Sequence, residues 1–128
     1  MPPRPDTATL ILATAEEYLG TPYVFGADGP ESFDCSGFTR FVFAQHDIAI
    51  PRTSISQASA GVRVAIAGRR KGDILVFVDT WRPGISHVGI YMGEGQFIHA
   101  TTREGVSYAN LSSTYWGTRL HSVRRVIP

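Results

Sequence analysis

Helical signals in the first half of the chain and strand signals in the second half predict an α+β fold, with N-terminal helices packed on a central antiparallel β-sheet. Apolar residues recur at helical spacing up to about residue 45. From residue 74 onward, apolar runs are continuous or alternate with a period of two. The chain has 128 residues, 43% hydrophobic and 18% charged, which is enough for one domain with one core.

The first helix follows a proline-rich lead. Residues 1–7 are expected to be a disordered lead. Asp6 or Thr7 has a side chain that can accept a hydrogen bond from the first helical turn, so either residue can cap this helix. Apolar side chains recur on one face as far as about Leu19, and Gly20 ends the helix.

A loop rich in Gly and Pro, residues 20–34, separates the first helix from the second. The second helix is predicted from Cys35 to about Gln45. Its buried stripe consists of three apolar side chains: Phe38, Phe41 and Val42. A short third helix is predicted from the capping-box pattern Ser54-x-x-Gln57, which places Ser54 at the cap.

The second half is predicted to form the sheet. A continuous apolar run from Ile74 to Val78 indicates a central strand buried on both faces. Three further strands are predicted: His87 to Met92, Gln96 to Thr101, and roughly Thr118 to Val126. Since no linker or internal repeat interrupts the chain, residues 8–128 are expected to form a single domain.

The chain has one cysteine, Cys35, at the predicted start of the second helix. A thiol at a helix N-terminus lies at the positive end of the helix dipole, which favours the thiolate, the nucleophilic form of the side chain. An inert buried thiol is the alternative interpretation. With a single cysteine, no internal disulfide can form.

Two histidines lie in the predicted hairpin, and strand parity places them on one face. Burying Ile90 beside Ile98 puts His87 and His99 together on the other face. This register requires a three-residue loop, residues 93–95, because a two-residue turn would place the histidines on opposite faces.

Taken singly, either histidine is more often a structural residue than a functional one. Two histidines on one face, together with a cysteine at a helix start, match the nucleophile, base and orienting residue of covalent catalysis. Gly89 lies between them in sequence and leaves space for two imidazoles to approach each other. The pattern therefore favours a Cys–His catalytic site.

Six motifs follow one another along the chain: Gly20-Thr21-Pro22-Tyr23-Val24-Phe25-Gly26, Asp34-Cys35-Ser36-Gly37-Phe38, Pro51-Arg52-Thr53-Ser54-x-x-Gln57, Gly72-Asp73-Ile74-Leu75-Val76-Phe77, His87-Val88-Gly89-Ile90-Tyr91-Met92-Gly93 and Phe97-Ile98-His99-Ala100. Together they resemble the NlpC family of bacterial cell-wall cysteine peptidases, and most closely its Spr-type murein endopeptidases. The resemblance covers about residues 8–126 and implies a papain-like α+β fold.

The resemblance also implies roles for individual residues. Cys35 would be the nucleophile, His87 the general base, and His99 the residue that orients the His87 ring. Tyr23 would help to hold the substrate or the developing oxyanion. Four groove residues would contact the stem peptide: Asp34, Ser36, Arg52 and Ser54.

The residues alone leave other interpretations open for these groove positions. Tyr23 can be a packed aromatic, Asp34 a cap of the second helix, and Ser54 a cap of the third. Arg52 has no evident packing role in its connection, so we expect it to pair with a carboxylate of a peptide substrate. Phe25 departs from the residues common in the family and is expected to alter the groove wall.

The activity that the resemblance implies is hydrolysis of amide bonds in peptidoglycan stem or cross-link peptides, either D-Ala to diaminopimelate or D-Glu to diaminopimelate, through a Cys-His-His site. The alternatives are a thioester-forming acyltransferase or amidase acting on another acyl substrate, and a non-catalytic peptidoglycan-binding module. No cofactor or metal is expected, since no Cys/His cluster has zinc spacing.

The net charge of +1 gives no reason to expect nucleic acid as a partner, and no apolar run is long enough for a membrane span. Peptidoglycan peptides are the expected partners; export machinery and an inhibitor protein are further candidates, and the default is a monomer. The expected location is the cell envelope or periplasm, or outside the cell, although no signal peptide is visible. His46 and His121 match no motif and are expected at the surface.

Overall fold

The computed structural model describes residues 6–128. Its four α-helices are α1 (Thr7–Glu16), α2 (Cys35–Ala44), α3 (Ser54–Gln57) and α4 (Thr114–Gly117). Its six strands are β1 (Val62–Val64), β2 (Ile74–Val78), β3 (Ile85–Gly93), β4 (Gln96–Thr101), β5 (Gly105–Asn110) and β6 (Leu120–Arg125). The strands form one antiparallel sheet in the order β1-β6-β2-β3-β4-β5, so the predicted α+β class is confirmed.

The first helix begins after one of the two predicted caps but ends earlier than predicted. α1 starts at Thr7, inside the stretch predicted as lead, and Asp6 caps it by accepting a hydrogen bond from the Thr9 N–H at 2.8 Å. Residues 1–5 of that lead lie outside the described residues. The last helical residue is Glu16, and the chain continues in turns from there. None of the helices within residues 6–128 is long and apolar enough to cross a bilayer.

The capping box of the short helix α3 differs from the predicted one. Thr53 is the N-cap and Ser56 the reciprocal partner, so Ser54 is not the cap but the buried first residue of the helix. Gln57 points inward, where its amide donates to the Ser36 carbonyl at 3.0 Å. The predicted capping box does not form because Gln57 makes a buried hydrogen bond to α2 and so does not serve as the partner of a Ser54 cap.

Side chains of the sheet alternate into two apolar clusters, one on each face. The face that packs on α1 and α2 is formed by Ile74, Val76, Val88, Ile90, Ile98 and Ala100. The opposite face is formed by Leu75, Phe77, Tyr91, Phe97 and Val123, with Trp116 packed against them. β2 lies between β3 and β6 and is buried on both faces, as its continuous apolar run predicts.

The β3–β4 hairpin has the predicted register but a different connection. Ile90 pairs with Ile98, as predicted from burial of the apolar residues. The prediction of a three-residue loop, 93–95, is wrong, because Gly93 pairs with Gln96 and only two residues form the turn. A β-bulge before Gly93 adds one residue to β3. The extra residue compensates for the shorter turn, so His87 and His99 still lie on the same face of the hairpin.

Candidate active site

The two histidines of the hairpin form a hydrogen-bonded pair on the sheet face away from α2. His87 Nε2 lies 2.8 Å from His99 Nδ1, and the side chains are almost fully buried. Gly89 lies between them on the same face of the hairpin. A Cβ at Gly89 would come 2.9 Å from the Phe97 ring and 3.3 Å from the His99 Cβ, so a side chain there would displace the pair.

Burial keeps both imidazoles neutral. It lowers the pKa of His99 to about 4. Burial also lowers the pKa of His87 well below its usual value, and repulsion from a charged His99 adds to this effect. Near neutral pH, therefore, one uncharged ring donates a hydrogen bond to the other.

Trp116, in the short helix α4, covers this pair. Its indole stacks on His87 with ring centroids 5.0 Å apart and an interplanar angle of 28°. It meets His99 edge-on at 5.0 Å and 75°. Sequence reasoning assigned Trp116 no role, since residue spacing alone gives no signal that α4 returns to the histidines.

Cys35 is the first residue of α2, and its sulfur lies against the backbone of the residue that follows His87. The backbone N–H groups of Val88, Ser36 and Cys35 itself lie near enough to the sulfur to favour its thiolate form. The β3–β4 pairing ends at Ile90–Ile98, so Val88 lies beyond the paired part of the hairpin. The structure thus brings the helix start to the strand segment that carries His87.

The resting thiol of Cys35 is protonated, which differs from the expectation based on the helix dipole. Burial raises the pKa of Cys35 to about 11, and the nearby Asp34 carboxylate also opposes ionisation. The N–H groups around the sulfur favour the thiolate but are outweighed. Desolvation decides the direction of the pKa shift because the Cys35 side chain is only 6% exposed.

Three of the four predicted groove residues form one internal network below the start of α2. Asp34 caps the helix through the Gly37 N–H at 2.6 Å. Arg52 binds both carboxylate oxygens of Asp34, at 3.0 and 2.9 Å, and donates to the Ser36 hydroxyl at 2.9 Å. The guanidinium of Arg52 is therefore engaged within the fold, contrary to the expectation that it has no packing role.

Tyr23 lies beside this network, whereas Ser54 makes no side-chain hydrogen bond to it among the described residues. The pKa of Tyr23 is raised to about 12, mainly by burial and in addition by negative charge at the Cys35 and Asp34 positions. The phenol therefore stays protonated and can donate a hydrogen bond. Of the two unmatched histidines, His121 is exposed, but His46 is half-buried with Nε2 2.7 Å from the Thr14 hydroxyl.

A cavity of about 640 Å³ opens over the histidine pair. Tyr23 and both histidines line it; Cys35 is not part of its lining. Five more aromatic side chains contribute to the wall: Phe25, Trp81, Tyr108, Tyr115 and Trp116. Within residues 6–128, no three His, Cys, Asp or Glu side chains are grouped closely enough to hold a metal ion.

The chain is similar to known proteins over nearly all of its length. A family model described as the NlpC/P60 family matches residues 20–125. The chain is 43% identical over 124 residues to the gamma-DL-glutamyl hydrolase of Bacillus subtilis (strain 168), which covers 94% of this chain and 30% of that protein. It is 46% identical over 116 residues to the probable endopeptidase p60 of Listeria innocua serovar 6a, which covers 91% of this chain and 24% of that protein.

A solved structure shows the same fold. The NlpC/p60 domain of the peptidoglycan hydrolase SagA matches with a TM-score of 0.81 at 34% identity, covering 94% of this chain and 99% of that chain. The chain thus corresponds to nearly all of that domain, but spans less than a third of the length of the two relatives above.

Proposed function

This chain belongs to the NlpC/P60 family, and on that premise we propose that it is a cysteine endopeptidase that hydrolyses amide bonds in peptidoglycan peptides. Relatives with the names endopeptidase and peptidoglycan hydrolase support this class of reaction. The observation that carries the proposal is the 2.8 Å hydrogen bond between His87 and His99, together with the approach of the Cys35 sulfur to the backbone N–H of Val88, the residue after His87 on β3. This arrangement suits Cys35 as the nucleophile, His87 as the base and His99 as the residue that orients the base.

The histidine pair sets the proton positions that the reaction needs. We assign the proton of His87 to Nε2, from which it donates to Nδ1 of His99. His87 Nδ1 then carries the lone pair that accepts the Cys35 proton, and His99 holds the ring in that tautomer. Because both partners are neutral at rest, the thiol loses its proton as the sulfur attacks, and the resulting thiolate and imidazolium stabilise each other.

The attack forms a tetrahedral oxyanion, which needs hydrogen-bond donors. Backbone N–H groups at the start of α2 and the protonated hydroxyl of Tyr23 are the donors that this site supplies. His87 then returns the proton to the leaving amine, which leaves a thioester on Cys35. Water hydrolyses the thioester with His87 again acting as base, and the reaction uses no cofactor.

Two bonds are candidates within the peptidoglycan peptides: D-Glu to diaminopimelate and the D-Ala to diaminopimelate cross-link. The relative named gamma-DL-glutamyl hydrolase favours the first, in which glutamate is joined through its side-chain carboxyl. The Spr-type resemblance favours the cross-link. We propose that the protein acts where peptidoglycan lies, in the cell envelope, the periplasm or outside the cell, and that it acts as a monomer.

Digestion of defined muropeptides, with product masses identified, tests the proposal. The wild-type protein should release peptide fragments, and the Cys35→Ala variant should release none. Masses distinguish the two bonds, and an added amine reveals acyl transfer as a product of higher mass. Equal product from wild type and Cys35→Ala would overturn the cysteine mechanism; binding of muropeptides without cleavage would support the non-catalytic alternative.

A further inference from the structure

Two exposed aromatic side chains form a pair at the wall of the candidate active site. Phe25 is 77% exposed and Trp81 is 62% exposed. Their rings pack edge-to-face with centroids 6.1 Å apart, and both line the cavity that contains His87 and His99. A contiguous apolar surface at the wall of a functional cavity marks a site of contact with a ligand.

Trp81 and the backbone beside Phe25 are held in place before any ligand arrives. The Trp81 indole N–H donates to the Ser86 carbonyl at 2.8 Å, so its polar group is satisfied within the fold. The Thr80 N–H donates to the Ser86 hydroxyl at 3.0 Å, which fixes the loop that carries Trp81. On the other side, the Gly26 N–H next to Phe25 donates to Asp34 at 3.1 Å. Ordering this surface on binding therefore costs little entropy.

The chemistry of the surface restricts what it binds. Phe25 has no polar atom, and the only one on the Trp81 ring is already bonded, so the pair recognises shape and C–H groups rather than hydrogen-bonding groups. An ammonium group is disfavoured at Trp81, because the Arg82 guanidinium lies 5.0 Å from the ring centroid and would repel it.

We infer that Phe25 and Trp81 form a saccharide platform that stacks on a pyranose ring of the glycan to which the stem peptide is attached. The inference rests on the proposed function and deepens it. Stem peptides built of alanine, glutamate and a diamino acid offer no large apolar side chain, whereas a pyranose ring presents an uncharged face of C–H groups. The carrier sugar is thus the part of the substrate that matches the platform.

The place of Trp81 suits this assignment. Its indole is bonded to Ser86, the residue before His87, so the platform lies next to the base in the chain. An extended peptide advances about 3.3–3.6 Å per residue, so a sugar on the first stem residue lies within roughly 10 Å of the bond after the second. The platform therefore favours cleavage close to the glycan over cleavage at a distant cross-link.

The test compares a disaccharide tetrapeptide with the same tetrapeptide lacking sugar. For the wild type, we expect kcat/KM to be about tenfold higher with the sugar. Phe25→Ala should bring this ratio close to one, while Phe25→Tyr, which keeps the ring, should retain it. Val62→Ala, which shortens an exposed side chain on β1 outside the cavity, should leave the ratio at its wild-type value. A wild-type ratio near one, or an equal loss on both substrates in Phe25→Ala, would overturn the platform.

Binding to Cys35→Ala separates this inference from the proposed function. Titration calorimetry should show tighter binding of the sugar-bearing peptide, and adding Phe25→Ala should remove the difference. If that holds while the wild type cleaves neither substrate, the platform stands and the peptidase proposal fails. If the wild type cleaves both substrates but binding shows no sugar dependence, the platform fails and the peptidase proposal stands. Loss of binding only when the peptide amine is acetylated would assign the surface to an amine and overturn the saccharide platform.

Discussion

The indole of Trp116 lies nearly parallel to the imidazole of His87, with ring centroids 5.0 Å apart. Because Trp116 also contacts His99, it covers the hydrogen bond that joins the two imidazoles. Excluding water from that bond strengthens it and disfavours the charged form of each ring. If His87 is the base that we propose, Trp116 is expected to affect the reaction by setting the surroundings of that base.

Trp116→Ala is expected to lower kcat by about tenfold or more with a smaller change in KM, because a rehydrated His87 is held less firmly. Rehydration also raises the pKa of His87 towards its usual value, so the acid limb of the kcat/KM profile should move to higher pH. A pH profile on a defined muropeptide measures both effects, and Trp116→Phe serves as the conservative control. An unmoved acid limb would mean that Trp116 has no part in setting the His87 pKa.

The burial of His99 makes the fold sensitive to acid. Its pKa is about 4 in the folded chain against 6.5 when unfolded. Well above pH 6.5 neither state binds the proton. As pH falls through 6.5 towards 4, only the unfolded chain takes it up, so the free energy of unfolding decreases. This histidine should account for a loss of about 2–3 kcal/mol between roughly pH 7 and 4.5.

Urea unfolding at the two pH values measures that loss. His99→Asn should show a smaller decrease than the wild type, since its side chain does not titrate. His121→Asn, at an exposed position, is the matched control and should behave as the wild type does. The same acid dependence in His99→Asn and wild type would contradict the assignment.

The raised pKa of Cys35 predicts that its thiol reacts slowly with alkylating reagents near neutral pH when no substrate is bound. The rate of alkylation by iodoacetamide should keep rising between about pH 7 and 10, because the pKa of the thiol in the folded chain is about 11. In urea the same thiol should titrate near its ordinary value. A rate that is already at a plateau near neutral pH would indicate a preformed thiolate–imidazolium pair instead.

The Asp34–Arg52 pair predicts a loss of stability when either partner is removed. Asp34→Ala removes both the α2 cap and the ion pair and should cost about 2–3 kcal/mol of unfolding free energy. Arg52→Ala should cost about 1–3 kcal/mol, because it leaves a buried carboxylate without its partner.

Denaturant unfolding of both variants and of the double variant measures the coupling, and the double variant should cost less than the sum. Arg40→Ala is the control, because its exposed ion pair with Asp28 at 4.0 Å should contribute less than about 1 kcal/mol. Strict additivity of Asp34→Ala and Arg52→Ala would argue against the network.

Gly89→Ala is expected to reduce activity by pushing the histidine pair apart. The new methyl group would lie 2.9 Å from the Phe97 ring and 3.3 Å from the His99 Cβ, so His99 must shift. We expect a loss of about tenfold or more in kcat/KM, measured on a defined peptide. Gly68→Ala is the matched control, since a Cβ there meets nothing within 4 Å. Equal activity of the two variants would contradict the inference that a side chain at position 89 displaces the histidine pair.

Local patterns were sufficient for the central strands. The continuous apolar run predicts β2 at Ile74–Val78, and alternation predicts β4 at Gln96–Thr101; both strands have those bounds. They could be predicted because side-chain period and burial are local properties of a strand. β1 and β5 were missed, since the first has only three residues and the second mixes polar and apolar positions on a half-exposed edge.

Long-range contacts decided the features that the patterns missed. Thr53 rather than Ser54 caps α3 because Gln57 is needed for a buried hydrogen bond to α2. Arg52 pairs with Asp34, a residue 18 positions away, and no spacing rule reveals that partner. The bulge in β3 changes the loop while keeping the histidines on one face.

The sequence by itself determined which residues carry the candidate chemistry, since a cysteine at a helix start and two histidines of one parity follow from local period. Only the tertiary structure decided their protonation. Cys35 is at a helix N-terminus, yet its pKa is raised because neighbours from β3 and the helix itself remove water from the sulfur. The pKa values of His87 and His99 are lowered for the same reason. Desolvation depends on every group packed around an atom, and those groups come together only in the folded chain.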